Sequence, residues 1–153
     1  MTTNPLIRFL HRDSHLLVCI KPPQLLTVPH HNSTSPTLID LVRSQLVTAG
    51  ERHYIQSVHR LDYGVGGLVV FGRSDKGVSR MNKLFATPGK VEKSYIGVLA
   101  SSGKGTTEVG ETSGRITIDI EGRGGKIREG VTDYKVEGGE GTRVRFFPLT
   151  GRR

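Results

Sequence analysis

The sequence predicts an α+β fold with a mixed, mainly antiparallel sheet and a few flanking helices. Three observations lead there. Strand-like segments outnumber segments with helical periodicity, and the helical segments stand alone instead of alternating with strands. In addition, 13 of the 20 glycines fall after residue 96, which marks a C-terminal third of turns and short strands. At 153 residues the chain fits one domain, 1–153, with a modest core.

Taken in order, Ile7 to Leu10 and Leu16 to Ile20 read as two short strands around the polar turn His11 to His15. Lys21-Pro22-Pro23 ends the second strand, because proline cannot donate to a ladder. Gln24 to Pro36 reads as a loop. Thr37 is then a helix N-cap with an acid, Asp40, three positions on, and Leu38, Leu41, Val42 and Leu46 supply an apolar face. Tyr54 to Val58 is expected to be extended and to deliver His59 to Asp62. A turn at Gly64-Val65-Gly66-Gly67 precedes the strand Leu68 to Phe71. Ser74-Asp75 caps a second helix, with Val78, Met81, Leu84 and Phe85 on one side and Thr87-Pro88-Gly89 as its stop. Ser94 to Leu99, Arg115 to Ile120, Val131 to Val136 and Thr142 to Phe147 are all strand-like. Strand alternation puts Lys93 and Tyr95 on one side and Ile96 and Val98 on the other, expected to be core.

Charge narrows the class of partner. The chain carries 22 Lys+Arg against 14 Asp+Glu, a net charge of +8. The excess is concentrated in residues 1–100, which hold 12 basic and 6 acidic groups. Such a field attracts polyanions, and nucleic acid is the first of these. The single cysteine, Cys19, lies in the apolar run Leu16 to Ile20, which excludes an internal disulfide and reads as a small buried hydrophobe. No segment has the length of a signal peptide core or a membrane helix, so a soluble protein acting in the cytoplasm is expected. The six histidines show no ligand spacing with cysteine or aspartate, and no Gly-x-Ser-x-Gly elbow is present.

Two clusters remain as candidates. His59-Arg60-Leu61-Asp62 follows an extended segment and precedes a glycine turn, a position from which side chains face a cleft. Arg60 and Asp62 share a face in extended backbone, where the guanidinium can hold phosphate while the carboxylate stays ionised. On spacing alone, a solvated surface pair accounts for them better. Lys93-Ser94-Tyr95 sets a cation beside an aromatic, which suits a base stacked next to a phosphate; taken alone, an exposed cross-strand pair accounts for it better. The glycine run Gly64 to Gly67 is no phosphate loop, since it precedes a strand and opens no helix.

The order of the pieces decides between these readings. His59-Arg60-Leu61-Asp62, Gly67 to Phe71, Lys93-Ser94-Tyr95, Val131 to Val136 and Phe147-Pro148-Leu149-Thr150-Gly151-Arg152, preceded by Leu16 to Pro22 and Leu25 to Pro29, resemble the RluA-type RNA pseudouridine synthases over nearly the whole chain. The resemblance implies the pseudouridine synthase fold and an isomerase that converts uridine in structured ribosomal or transfer RNA to pseudouridine. It implies no cofactor and no metal, and a monomer bound to RNA. Asp62 matches the family nucleophile, and Tyr95 the active-site tyrosine that stacks on uracil. Arg60 matches an arginine that braces the space the base leaves. His59, Lys93 and Arg152 are expected at the RNA. A non-catalytic RNA-binding protein, or an inactive fragment of the same fold, is the alternative.

Two departures accompany the resemblance. Family members carry Thr or Ser where Val65 and Gly66 stand here. They also continue past Thr-Gly-Arg into a His-Gln-(Ile/Leu)-Arg stretch whose last arginine pairs with the catalytic aspartate. This sequence ends at Arg153, and the resemblance thus implies a synthase domain incomplete at its C-terminus, with no S4-like module ahead of it.

Overall fold

A computed structural model of the chain describes residues 6–30, 34–98, 113–121, 127–137 and 143–150. They belong to two units, Met1–Ala86 and Thr87–Arg153.

In the first unit, alternation sets the centre. Strand β1 (Phe9–Arg12) pairs antiparallel with β2 (Leu16–Lys21), and β2 with β4 (Gly67–Gly72), whose other edge takes the two-residue β3 (Gln56–Ser57). Leu17 pairs with Phe71 and Cys19 with Val69, and all four are buried on one face. Full burial of such side chains contributes roughly 1.5–3 kcal/mol each. The first strand runs two residues further than its apolar stretch. Asp13 Oδ1 accepts the N–H groups of His15 (2.6 Å) and Leu16 (2.7 Å), which tightens the turn and lets His11 and Arg12 join the ladder. The extended segment expected over Tyr54 to Val58 contributes only Gln56 and Ser57 to the sheet.

Helix α1 (Leu38–Thr48) starts where Thr37 donates its N–H (3.0 Å) and its hydroxyl (2.6 Å) to Asp40 Oδ2. Its expected face, Leu38, Leu41, Val42 and Leu46, is buried. Gln45 clips the helix to the start of the chain, bonding both the N–H and the carbonyl of Ile7.

Helix α2 (Asp75–Ala86) differs from expectation. Ser74 Oγ accepts the Gly77 N–H (3.1 Å), as a cap should. The stripe Val78, Met81, Leu84 and Phe85 is not buried, however; Leu84 is exposed and the other three are half-buried. Close approach at glycine holds this helix instead. A Cβ on Gly72 would lie 2.8 Å from the Val78 backbone nitrogen, and one on Gly77, the single buried residue of α2, would overlap the His15 carbonyl oxygen.

The second unit is an antiparallel sheet in the order β5 (Tyr95–Val98), β8 (Arg143–Pro148), β7 (Ile127–Val136), β6 (Ser113–Glu121). Tyr95, Phe146, Tyr134 and Gly114 form one row across all four strands. Here the expected core of the first strand is wrong. Ile96 and Val98 are 57% and 67% exposed, while Tyr95 and Gly97 on the other face are half-buried. Alternation separates two faces but does not choose between them; the choice follows the aromatic row, and Gly97 leaves room for the Phe146 ring 3.1 Å from where its Cβ would lie.

Candidate active site

The loop that follows β3 carries His59 to Asp62 in the first unit, and its backbone is held on both sides of Asp62. On one side, Thr27 Oγ1 donates to the Leu61 carbonyl (2.7 Å) and accepts the Leu61 N–H (3.1 Å), both in a buried setting. On the other, Lys21 Nζ donates to the Tyr63 carbonyl (3.3 Å), as well as to those of Leu25 (2.6 Å) and Pro22 (3.1 Å). The Asp62 carbonyl accepts the Val65 N–H (3.1 Å) and closes the turn. Gly67, with φ of 141°, lets the chain leave that turn into β4. Two clamps and a turn thus fix the backbone at Asp62 while its side chain remains free to meet a ligand.

That side chain is 86% exposed, and the Arg60 guanidinium, itself 56% exposed, lies 4.0 Å from Asp62 Oδ1. The pair is loose enough for either partner to turn to a ligand. Lys21 is wholly buried, and desolvation holds its ammonium below the usual lysine range, opposed by the charge of Asp62. His59 turns inward. Its Nε2 accepts the Val70 N–H (2.9 Å), which requires that nitrogen to be unprotonated, and its ring stacks on Phe85 of α2 at 4.6 Å and 23°. Ser57 Oγ caps the His59 carbonyl at 2.6 Å. Among the described residues, no group of three His, Cys, Asp or Glu is placed to hold a metal ion, and no helix is long and apolar enough to cross a membrane.

Of the residues singled out from the sequence, His59, Arg60 and Asp62 come together on this loop. Lys93 and Tyr95 belong to the second unit, where Lys93 is half-buried just before β5 and Tyr95 pairs with Phe146. Arg152 lies outside the described residues. The residues that steady the loop, Lys21, Thr27 and Phe85, were not among those singled out. Lys21 carries a readable signal: Leu17, Cys19 and Lys21 are in phase, so strand alternation puts a lysine on the buried side. Thr27 carries none, because its partner is the backbone of a residue 34 positions away.

Residues 15–153 match the family described as RNA pseudouridylate synthase. The chain is 29% identical over 160 aligned positions to the dual-specificity RNA pseudouridine synthase RluA of Haemophilus ducreyi, covering 97% of this chain and 69% of that protein. It is 31% identical over 126 positions to the 21S rRNA pseudouridine(2819) synthase of Eremothecium gossypii, covering 79% of this chain and 43% of that one. Two solved human structures share the fold. RNA pseudouridylate synthase domain containing 4 aligns with a TM-score of 0.70 at 22% identity, over 95% of this chain and 60% of that one. Domain containing 1 aligns with a TM-score of 0.71 at 19% identity, over 99% and 64%. The sequence order around Asp62, the clamped loop that presents it and the match over residues 15–153 lead to one assignment: the chain belongs to the RNA pseudouridylate synthase family, isomerases that act on uridine in RNA.

Proposed function

We propose that this chain isomerises uridine to pseudouridine in structured ribosomal or transfer RNA, with Asp62 as nucleophile. The observation that carries the reading is the presentation of Asp62: an exposed carboxylate on a backbone clamped by Thr27 and Lys21, with Arg60 at 4.0 Å. A carboxylate ionised at neutral pH suits the task, since it attacks without first losing a proton. The reaction breaks the N1–C1′ bond of the uridine and forms a C5–C1′ bond. N1 gains a proton and C5 loses one, so the change is an isomerisation that consumes nothing.

The target base is stacked within the RNA and must first be flipped out. Arg60 takes the space the base leaves and pairs with phosphate. Tyr95 stacks on the uracil, and Lys93, His59 and Arg152 contribute to holding the RNA. Of these, His59 acts through the loop, since its ring is already engaged by Val70 and Phe85.

The decisive experiment is tritium release from RNA labelled at uridine C5, comparing the chain with Asp62→Asn. The variant should lose release by at least a thousandfold while RNA affinity changes less than about threefold, because phosphate contacts dominate affinity. Release retained by the variant would overturn the assignment of Asp62. No release from either protein, with RNA binding intact, would leave an RNA-binding member of the fold without catalysis.

A further inference from the structure

Strand β4 has two ends, and the Asp62 loop occupies only one of them. Gly67 pairs with Lys21 beside that loop, whereas Gly72 pairs with Gln56 at the other end. Five residue intervals separate them, about 17 Å in an extended strand. At the Gly72 end lies an open concavity of about 530 Å³ lined by Arg43, Arg52, His53, Tyr54, Ile55 and Gln56.

Two of the six lining residues are arginines. Arg43 Nη2 donates to the Ile55 carbonyl (3.1 Å), and the Arg52 guanidinium lies 5.7 Å from the Tyr54 ring centre. Neither guanidinium has a carboxylate within ion-pair distance among the described residues. Of the acids nearby, Glu51 is paired with Arg12 and Arg73, whereas Asp75 keeps its charge and accepts the Tyr54 hydroxyl. Gln56 Nε2 donates to that hydroxyl as well (2.8 Å), so the ring is pinned from two directions. Two arginines without an ion pair, one of them over an aromatic ring held by hydrogen bonds, form a receptor for an anion on a flat group. An RNA phosphate with its flanking base has that chemistry.

We infer that the Arg43–Arg52–Tyr54 concavity is a second RNA site, which grips the sugar–phosphate backbone of the substrate several nucleotides from the uridine presented to Asp62. The inference rests on the RNA reading above but not on the chemistry assigned to Asp62. Binding at both ends of β4 makes the protein measure the span between two points of a folded RNA. A short oligonucleotide reaches the Asp62 loop and leaves the concavity empty; a stem–loop fills both.

The test is the salt dependence of RNA binding by the full chain. Arg52→Gln is the variant of choice, since the Arg52 side chain makes no hydrogen bond or ion pair among the described residues, and the backbone carbonyl that receives Arg73 is retained. The probes are a stem–loop RNA with a loop uridine and a short oligouridine, and the reference variant is Arg128→Gln, an exposed arginine on β7 beside Glu129. For the stem–loop, Arg52→Gln should lower the slope of log affinity against log salt by about 0.7 and weaken binding roughly tenfold, with an unchanged thermal melt. Oligouridine binding should not change, and Arg52→Lys should restore most of the slope. A stem–loop effect no larger than that of Arg128→Gln, or an equal loss for both probes, overturns the site. A chain that binds neither RNA overturns the site together with the RNA reading. Binding that responds as expected, without isomerisation, supports the site and removes only the catalytic assignment.

Discussion

At the scale of single residues, Lys21 and Asp62 show how differently two charges serve one loop. Asp62 is exposed, and the order of motifs along the whole sequence singles it out, whereas the local Arg60–Asp62 spacing alone reads as a solvated surface pair. Strand alternation announces the burial of Lys21, but its partners, carbonyls as far away as Tyr63, follow from no local pattern. Its ammonium meets three carbonyls and no carboxylate at hydrogen-bond distance. Lys21→Met keeps the apolar stem but leaves those carbonyls without a donor, at a cost of about 1–3 kcal/mol. We expect denaturant melts to register that loss and turnover per folded molecule to fall with it, since Nζ holds the Tyr63 carbonyl beside Asp62. A collapse in turnover with unchanged stability would place Lys21 in the chemistry instead. Asp13 gives a pH signature. The N–H groups of His15 and Leu16, then the His11 side chain, pull its carboxyl from 3.8 down to about 2. A lowered native value means the unfolded chain takes up the proton first, so Asp13 stabilises fully above 3.8 and loses its effect as pH falls toward 2. Tm measured against pH for the chain and Asp13→Asn should differ at neutral pH and converge in that acid window; parallel curves throughout would refute the turn's electrostatic role. Cys19, pushed up to about 12 by burial, should resist thiol reagents until the chain unfolds.

At the scale of elements, the sequence was most legible where one face is strictly buried. The strands Leu16 to Ile20 and Leu68 to Phe71, and the helix face Leu38, Leu41, Val42 and Leu46, all emerged as read. It was least legible where a glycine substitutes for a packed side chain. The stripe on α2 predicted a buried apolar face, yet the helix docks through Gly77 against the His15 carbonyl and through Phe85 on His59. In β5 the same physics inverted the expected face, since Gly97 makes room for Phe146 and leaves Ile96 and Val98 outside. Gly77→Ala tests this directly. Helix propensity alone would favour alanine by about 1 kcal/mol. The added methyl meets a backbone carbonyl that cannot rotate away, and such overpacking costs about 1–3 kcal/mol. The net outcome should be destabilisation, together with weakened isomerisation, because α2 carries the ring on which His59 stacks. A stabilised variant would show that the close approach is not what holds the helix.

At the scale of the molecule, the distribution of charge matters more than its sum. The net charge is +8, but two of the four arginines described on the second sheet are matched: Arg115 forms a two-point pair with Asp133, and Arg145 bonds Glu137 at 2.6 Å. Their partners feel it, and both Asp133 and Glu137 are held below the usual carboxylate range by these bonds. In the first unit Arg43, Arg52, Lys76 and Arg80 have no acid within ion-pair distance among the described residues. The unbalanced field therefore sits on the unit that presents Asp62, in keeping with the excess of basic residues in the front two-thirds of the sequence. Four such groups on RNA phosphates would give log affinity a slope near −3 against log salt, using about −0.7 per contact for single strands. Affinity for a stem–loop RNA should then fall about 50-fold between roughly 50 and 200 mM salt. Replacing Lys76 and Arg80 together by glutamine should flatten the slope by about 1.4, whereas replacing Arg115 and Arg145 should leave it nearly unchanged, since each already spends its charge on a neighbouring carboxylate. Equal effects from the two pairs would mean that net charge alone governs binding and that its placement on the first unit has no part in it.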